Sequence, residues 1–372
     1  MQTSLETTLA KLVAIPSVSE DAAACFEVIA LVRNELAPLG LHIIESKPEE
    51  SHPWFFATTK PTLTPDILLA AHLDVVPGPT ELFTMRHQGN KLVGRGVYDM
   101  KLAAACYIEL LKKHAAILHT LNIGVLFTSD EEIGGDSVPD IIATGLHPGV
   151  IFIPDGGGDW QIEARAKGFS GTRLTSVGKA AHGSRPWEGD NALHPIMDII
   201  HTLRQEYPFK GPDEATFAVT GVKGGQAVNQ IADSASAHLD FRTFDNQELS
   251  QFNQRVSDLA SEHGIEAKII QSGSSVIFNK EHPAVQPFLQ AMEEQRGKPV
   301  AYVDSYGGTD ARYFAALAIP CIIMEPHGGG RHAEDEWLHA DDLSSYFRLI
   351  EHWILFAAKR QPVLHEQTVA TS

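Results

Sequence analysis

The sequence predicts an α/β protein: a main domain with a central mixed, mostly parallel sheet flanked by helices, and a smaller α+β domain inserted into it. Three observations carry this. Short apolar runs alternate with amphipathic stretches through the first part of the chain, the texture changes near Lys167, and the α/β rhythm returns after about Ser275. With 372 residues, 43% of them hydrophobic, the chain is long enough for a substantial core and suits two domains better than one.

In chain order, the main domain opens with a strand at 67–71, a helix at 102–114, a strand at 123–128 and a strand at 150–153. Their near-continuous apolar character is that of strands buried on both faces. The insert begins where Gly168, Gly171 and Gly178 punctuate the strand-like "TRLTSV". A helix at 192–203, strands at 217–222 and 235–241 and a helix at 249–263 follow, with antiparallel-like spacing. A helix at 283–294, a strand at 320–324 and a long helix at 342–358 complete the main domain from the other end of the chain. The last dozen residues, QPVLHEQTVATS, have neither periodicity nor turn signals and read as a frayed tail.

Charge and composition exclude several classes of function. A net charge of -18 opposes association with nucleic acid or anionic membrane, because the phosphate field repels it. The start, MQTSLETTLAKL, lacks the basic region and apolar core of a signal peptide, and no apolar run reaches bilayer length, so a cytoplasmic location is expected. Cys25, Cys106 and Cys321 are odd in number, far apart and never in a C-x-x-C pair. They imply neither a disulfide framework nor a thiolate zinc site, and read as small buried apolar residues.

Polar residues gather at the strand ends, where open α/β sheets bind ligands. "LLAAHLDVVPG" ends its apolar run with His72 and Asp74, which point to one side of an extended chain. Such a pair suits a metal-bound histidine with an orienting acid; alone, it is better read as a hydrogen-bonded core histidine. "GRGVYDMK" sets Asp99 just before a helix, able to cap it or to hold a cation with both oxygens. "VLFTSDEEIGG" runs into Asp130, Glu131 and Glu132, whose mutual repulsion a cation would relieve. "VIFIPDGGG" ends in Asp155. Four such places with His or acid point to a metal centre, and mixed nitrogen and carboxylate donors suit zinc, manganese or cobalt. The segment "EPHGGGRHAEDEWLHADDL" offers His327, His332 and His339 as a late ligand, and spacing does not choose among them.

Taken with "GKAAHGSRPWEGDNAL", "GGQAVNQIADSASAHLDFR", "GGTDARYFA" and "HAEDEW", these segments resemble the M20 metallopeptidase family in its own order, from about residue 10 to 340. That family includes carboxypeptidase G, acetylornithine deacetylase, succinyl-diaminopimelate desuccinylase, aminoacylase and dipeptidases. The resemblance implies a catalytic zinc-hydrolase domain over 1–166 and 276–372, and a lid and dimerisation domain over 167–275. It implies two divalent metal ions per chain, Zn2+ foremost, with Co2+ or Mn2+ as substitutes. His72 and Asp155 would hold one ion, His332 and Glu132 the other, and Asp99 would bridge them. Glu131 would be the general base and Asp74 the orienting acid. In the insert, His182 would donate to the oxyanion from the other subunit of a homodimer, while Asn229 and Arg242 would hold a substrate carboxylate and Gly308 would line the pocket. For Asn229 and Arg242, the sequence read without the resemblance favours a turn residue and a strand-surface salt bridge.

Two cations about 3.5 to 4 Å apart lower the pKa of a shared water and polarise an amide carbonyl, so the implied activity is cleavage of a small peptide or N-acyl amino acid. A glutamate beside them can take the water's proton and return it to the leaving amine. Asp155 stands where many deacylases have Glu, which points toward a dipeptidase or aminopeptidase; the alternatives are an N-acyl-amino-acid deacylase and an inactive relative kept as a binding module. "DMKLAA" lacks the family's usual glycine pair, and "NQIAD" lacks the proline after Asn229. With no G-x-S-x-G and no H-E-x-x-H, a serine hydrolase elbow and a zincin are excluded on motif grounds.

Overall fold

The computed structural model describes residues 2–47 and 51–360, so the expected C-terminal tail lies outside the described residues. The chain divides into two compact units, one of 1–164, 277–304 and 309–372, the other of 165–276 and 305–308.

The first unit opens with two helices that the sequence reading did not assign. In α1 (Gln2–Val13), Leu5, Leu9 and Leu12 recur at helical spacing and are fully buried. In α2 (Ala22–Leu36), Asp21 caps the first turn by accepting from the Ala24 amide at 3.1 Å. The central sheet has six strands. These are β1 (His42–Glu45), β2 (Phe55–Thr58), β3 (Ile67–His72), β4 (Ile123–Thr128), β5 (Ile151–Phe152) and, from late in the chain, β10 (Cys321–Ile322). Their order is β1-β2-β4-β3-β5-β10. β4, β3, β5 and β10 are mutually parallel, while β2 runs antiparallel to β4 and β1 antiparallel to β2.

Every residue of β3 and β4 is buried, as strands covered on both faces require. Helix α3 (Lys101–Lys113) and short α4 (Ser137–Ala143) follow β3 and β4, and α7 (Gln286–Arg296) and α8 (Ala340–Arg360) close the unit. Phe152 of β5 lies 5.3 Å from the Phe288 ring of α7 and 5.8 Å from the Trp353 ring of α8, which fixes both helices on that strand. The expected strands at 150–153 and 320–324 shrink to two paired residues each.

The second unit is a four-stranded antiparallel sheet with two helices. Its strands are β6 (Gly168–Val177), β7 (Thr216–Gly224), β8 (Ser234–Thr243) and β9 (Glu266–Gly273), in the order β7-β8-β6-β9. β8 alternates strictly, with Ala235, Ala237, Leu239 and Phe241 inward. These meet Ile196, Ile199 and Leu203 of α5 (Leu193–Glu206) and Phe252 and Val256 of α6 (Asn246–Glu262), with the Phe241 and Phe252 rings stacked at 4.0 Å. Residues 305–308 fall in this unit, although the sequence reading set them in the first. The Lys167 amide donates to Ser305 O, Arg242 donates to Tyr306 O, and a Cβ at Gly308 would stand 2.7 Å from the Phe169 ring.

Candidate metal centre

Because β4, β3 and β5 are parallel, their carboxyl ends open at one edge of the sheet, and the segments leaving them bring His72, Asp74, Glu131, Glu132 and Asp155 together. Loop residue Asp99 and His332, which follows the fourth parallel strand β10, complete the group.

Asp99 lies between the two histidines. One oxygen is 3.3 Å from His72 Nε2 and the other 3.2 Å from His332 Nε2. Glu132 Oε2 approaches His332 Nε2 at 3.0 Å. Ligand atoms of His72, Glu131 and Asp155 all lie within 4.8 Å of one another, as do those of His72, Asp99 and Glu132. His72 Nε2 is buried and faces the Asp99 carboxylate at 3.3 Å, where a cation would sit between them. A carboxylate reaching two imidazoles, with further carboxylates on either side, fits two divalent cations of the zinc, cobalt or manganese type.

Asp74 is fully buried and does more than the expected orienting of His72. The nearest partner of His72 Nδ1 is the Asp74 main-chain carbonyl at 3.0 Å, with the carboxylate at 3.4 Å. The carboxylate accepts from Ser19 Oγ at 2.8 Å and from the amides of Glu131 and Glu132 at 3.3 and 3.1 Å. It therefore also fixes the loop that presents the two glutamates. The three consecutive acids are sorted by this loop. Asp130 turns inward and accepts from the amide and hydroxyl of Ser137 at the start of α4, at 2.8 and 2.6 Å. Gly135 makes the sharp exit at φ +63°, where a Cβ would stand 2.1 Å from Asp310 Oδ1.

Burial dominates the electrostatics. It pushes Glu132 up to about 7, and with the nearby Asp155 charge it holds Glu131 well above the usual carboxylate range. Such a group is a strong proton acceptor once cationic charge beside it has ionised it. For His72, burial alone would lower the pKa, but hydrogen bonds to Asp74 and Asp99 outweigh it and raise it. Desolvation would raise Asp99, and the His332 and His72 contacts overcome it and hold the acid far below its ordinary value.

His332 is the late histidine that joins the cluster. His327 Nδ1 pairs with Asp159 at 2.9 Å, and His339 Nε2 meets the Asn90 amide at 3.0 Å. His332 sits at φ 61°, in the left-handed region that costs a non-glycine residue on the order of 1–3 kcal/mol and is found at sites the surroundings hold firmly.

In the second unit, His182 Nδ1 accepts from the Ser184 amide at 3.1 Å, so Nε2 is the ring nitrogen that carries a proton to donate. Asn229 is exposed and its carbonyl accepts from the Gly183 amide at 2.7 Å. Arg242 already forks onto Asp240, at 2.9 and 3.2 Å.

Four residues around the site were given no role there by the sequence reading, which took Asp310 only as an ion-pair partner of Arg312. Arg331 donates to Asp155 at 3.0 Å and to buried Glu325. Burial holds Glu325 up to about 8. Asp310 is buried beside the Glu131 loop, and Glu336 accepts from the loop that carries Asp99. Glu325 was findable, since it follows the 320–324 strand just as the other acids follow theirs. Glu336 lies within the "HAEDEW" segment itself, four residues after His332.

The sequence profile described as "Peptidase family M20/M25/M40" matches residues 68–355. A putative succinyl-diaminopimelate desuccinylase of Mycobacterium tuberculosis is 28% identical over 364 residues, spanning 93% of this chain and 96% of that protein. The crystal structure of a Staphylococcus aureus tripeptidase superposes with a TM-score of 0.79 at 20% identity, over 97% of this chain and 99% of that one. A Bacillus subtilis protein titled a dinuclear metal binding peptidase from the M20 family superposes with a TM-score of 0.66 at 18% identity, over 96% and 98%. Among the described residues, no helix is long and apolar enough to cross a membrane.

Proposed function

The chain belongs to peptidase family M20/M25/M40 and is a metal-dependent hydrolase of that family, and we propose that it uses two divalent cations, Zn2+ foremost, to cleave an amide of a small peptide or N-acyl amino acid. The observation that carries this reading is the Asp99 carboxylate, one oxygen toward each of two histidines. His72 and Asp155 would hold one cation, His332 and Glu132 the other, and Asp99 both. Bound there, the cations would supply Lewis acidity to water and to the substrate carbonyl. Glu131 takes the proton of the attacking water, its basicity raised by burial, and returns it to the leaving amine. Asp74 holds Glu131 in place through the Glu131 amide. Co2+ or Mn2+ would serve in place of Zn2+.

The inserted unit supplies the rest of this reading. His182 donates from Nε2 to the developing oxyanion of the partner subunit's site in a homodimer formed through this unit. Asn229 and Arg242 hold the substrate carboxylate, Arg242 sharing its guanidinium with Asp240, and Gly308 lines the pocket. A cytoplasmic location accompanies the proposal, in keeping with three buried cysteines that form no disulfide. Asp155 in place of Glu favours a dipeptidase or aminopeptidase. The 28% identical relative, named a desuccinylase, favours an N-acyl substrate.

The test is Glu131→Gln in metal-loaded protein, assayed on dipeptides beside N-acetyl, N-formyl and N-succinyl amino acids. The variant keeps its metal and loses about 100- to 10,000-fold in kcat, the range for removing a general base. Unchanged turnover sinks the base assignment, and fewer than two metals per wild-type chain sinks the dinuclear reading.

A further inference from the structure

Glu336 is 2% exposed and lies in the segment after His332, yet its carboxylate is spent on the opposite loop. One oxygen accepts from the amides of Tyr98 and Asp99, at 2.9 and 3.1 Å. The other accepts from the Gly96 amide at 2.9 Å and from Arg95 Nη1 at 3.1 Å. Arg95 then returns across the gap, donating Nη1 to Ala333 O at 3.0 Å and Nη2 to His332 O at 3.3 Å. The two segments also pair as strands just beyond, with Trp337 opposite Val93 and Leu338 opposite Leu92. The clamp thus stands where that ladder ends and the Asp99 and His332 side chains begin.

We infer that Glu336, acting with Arg95, is a positioning residue that sets the separation of Asp99 and His332 and so selects for an ion between them. This rests on the dinuclear reading proposed above. The two ligands come from segments far apart in sequence. His332 is itself largely exposed and sits at a backbone angle its own side chain does not favour. Arg95 holds its carbonyl, and Glu336 holds both Arg95 and the Asp99 amide. The His72 half has no such need, because His72 ends a fully buried strand and is fixed by Asp74. An amide in place of the Glu336 carboxylate would turn an NH2 toward two of the four donors, whichever way it faced, leaving donors unpaired in a buried place. The ion on the His332 side then loses most affinity, since both His332 and Asp99 shift, while the one on the His72 side loses less, sharing only Asp99.

The experiment is titration of Glu336→Gln, Arg95→Lys and wild type with Co2+ alone, read by calorimetry and by the cobalt absorption bands. Phe252→Ala in the second unit serves as a control of lowered stability. Wild type takes up two ions. Glu336→Gln takes the first ion with the smaller loss and the second about 10- to 100-fold more weakly, with altered bands chiefly for that ion, the range seen when a partner behind a ligand is removed. Arg95→Lys, which keeps the charge but not the fork to His332 O and Ala333 O, shows the same selective loss and carries the test if Glu336→Gln does not fold. The control leaves both affinities and the bands unchanged. A folded variant with both wild-type affinities and bands overturns the clamp alone. A wild type that binds a single ion overturns the function reading and this inference with it.

Discussion

Replacing Asp74 with asparagine should cost both stability and metal affinity, and the size of each follows from what the carboxylate accepts. Its oxygens take one hydrogen bond from Ser19, two from the Glu131 and Glu132 amides, and face His72 Nδ1. Asparagine keeps one oxygen. With that oxygen serving Ser19 and the Glu132 amide, its NH2 confronts the Glu131 amide and the imidazole. Hydrogen bonds to a charged acceptor contribute about 1.5–3 kcal/mol each, and a buried donor left unpaired costs about 1–3 kcal/mol. Removing the buried charge also removes its desolvation cost, so the net loss is on the order of 2–4 kcal/mol, a large share of the 5–15 kcal/mol typical of a folded protein. The loop bearing both glutamates loosens with it, and metal affinity falls about 10- to 100-fold. Urea unfolding and zinc titration measure the two effects. If Asp74→Asn stayed within about 1 kcal/mol of wild type and bound zinc as tightly, the carboxylate would not be organising the loop, and the reasoning would fail.

Metal uptake should depend on pH with a definite sign. Ligands bind metal deprotonated, burial pushes Glu132 up to about 7, and the Asp99 contact raises His332. Protons on Glu132, on His332 and on His72, which is raised as well, therefore compete with the metal, and apparent zinc affinity falls about 10-fold per pH unit for each proton displaced as pH drops through these raised values. Calorimetry in buffers of different ionisation enthalpy counts the protons, and an affinity equal at about pH 6 and about pH 7.5 contradicts the assignment. In the second unit, Phe252→Ala removes the ring stacked on Phe241 from a fully buried position. It should cost about 3–5 kcal/mol, seen as early unfolding or proteolysis of that unit, while zinc titration of the first unit stays unchanged.

The parts of the fold that could be read in the sequence are those whose cause is local. "ILLAAH" and "IGVLFT" are buried on both faces, so the strands announce themselves, and the polar residues at their ends stand out for the same reason. The alternation of β8 and the apolar spacing of α5 did likewise. Helix α1 was harder, because Thr3, Thr7 and Thr8 dilute a helical stripe of three leucines. Most of the candidate cluster was legible because its residues follow strands or match ordered motifs. The roles of Glu336 and Arg331 were not, since the loop that Glu336 binds and the Asp155 that Arg331 binds lie far off in sequence, and a two-residue strand such as β10 leaves almost no periodicity to read. The role of the Asp74 carbonyl was invisible in principle, because sequence pattern speaks of side chains and that bond is made by the main chain.

The pairing of β5 with β10 has a consequence for how the molecule comes into being. Ile151 meets Cys321 across a gap that contains the whole second unit, so the sheet cannot be finished until the ribosome has passed both. His332 lies later still. The segments that carry His72, Asp99, Glu131, Glu132 and Asp155 are made well before that, a set rich in negative charge and short of its second histidine. Completion of the centre is thus tied to completion of the polypeptide, and a chain released early would carry most of the ligands but no place for a matched pair of ions.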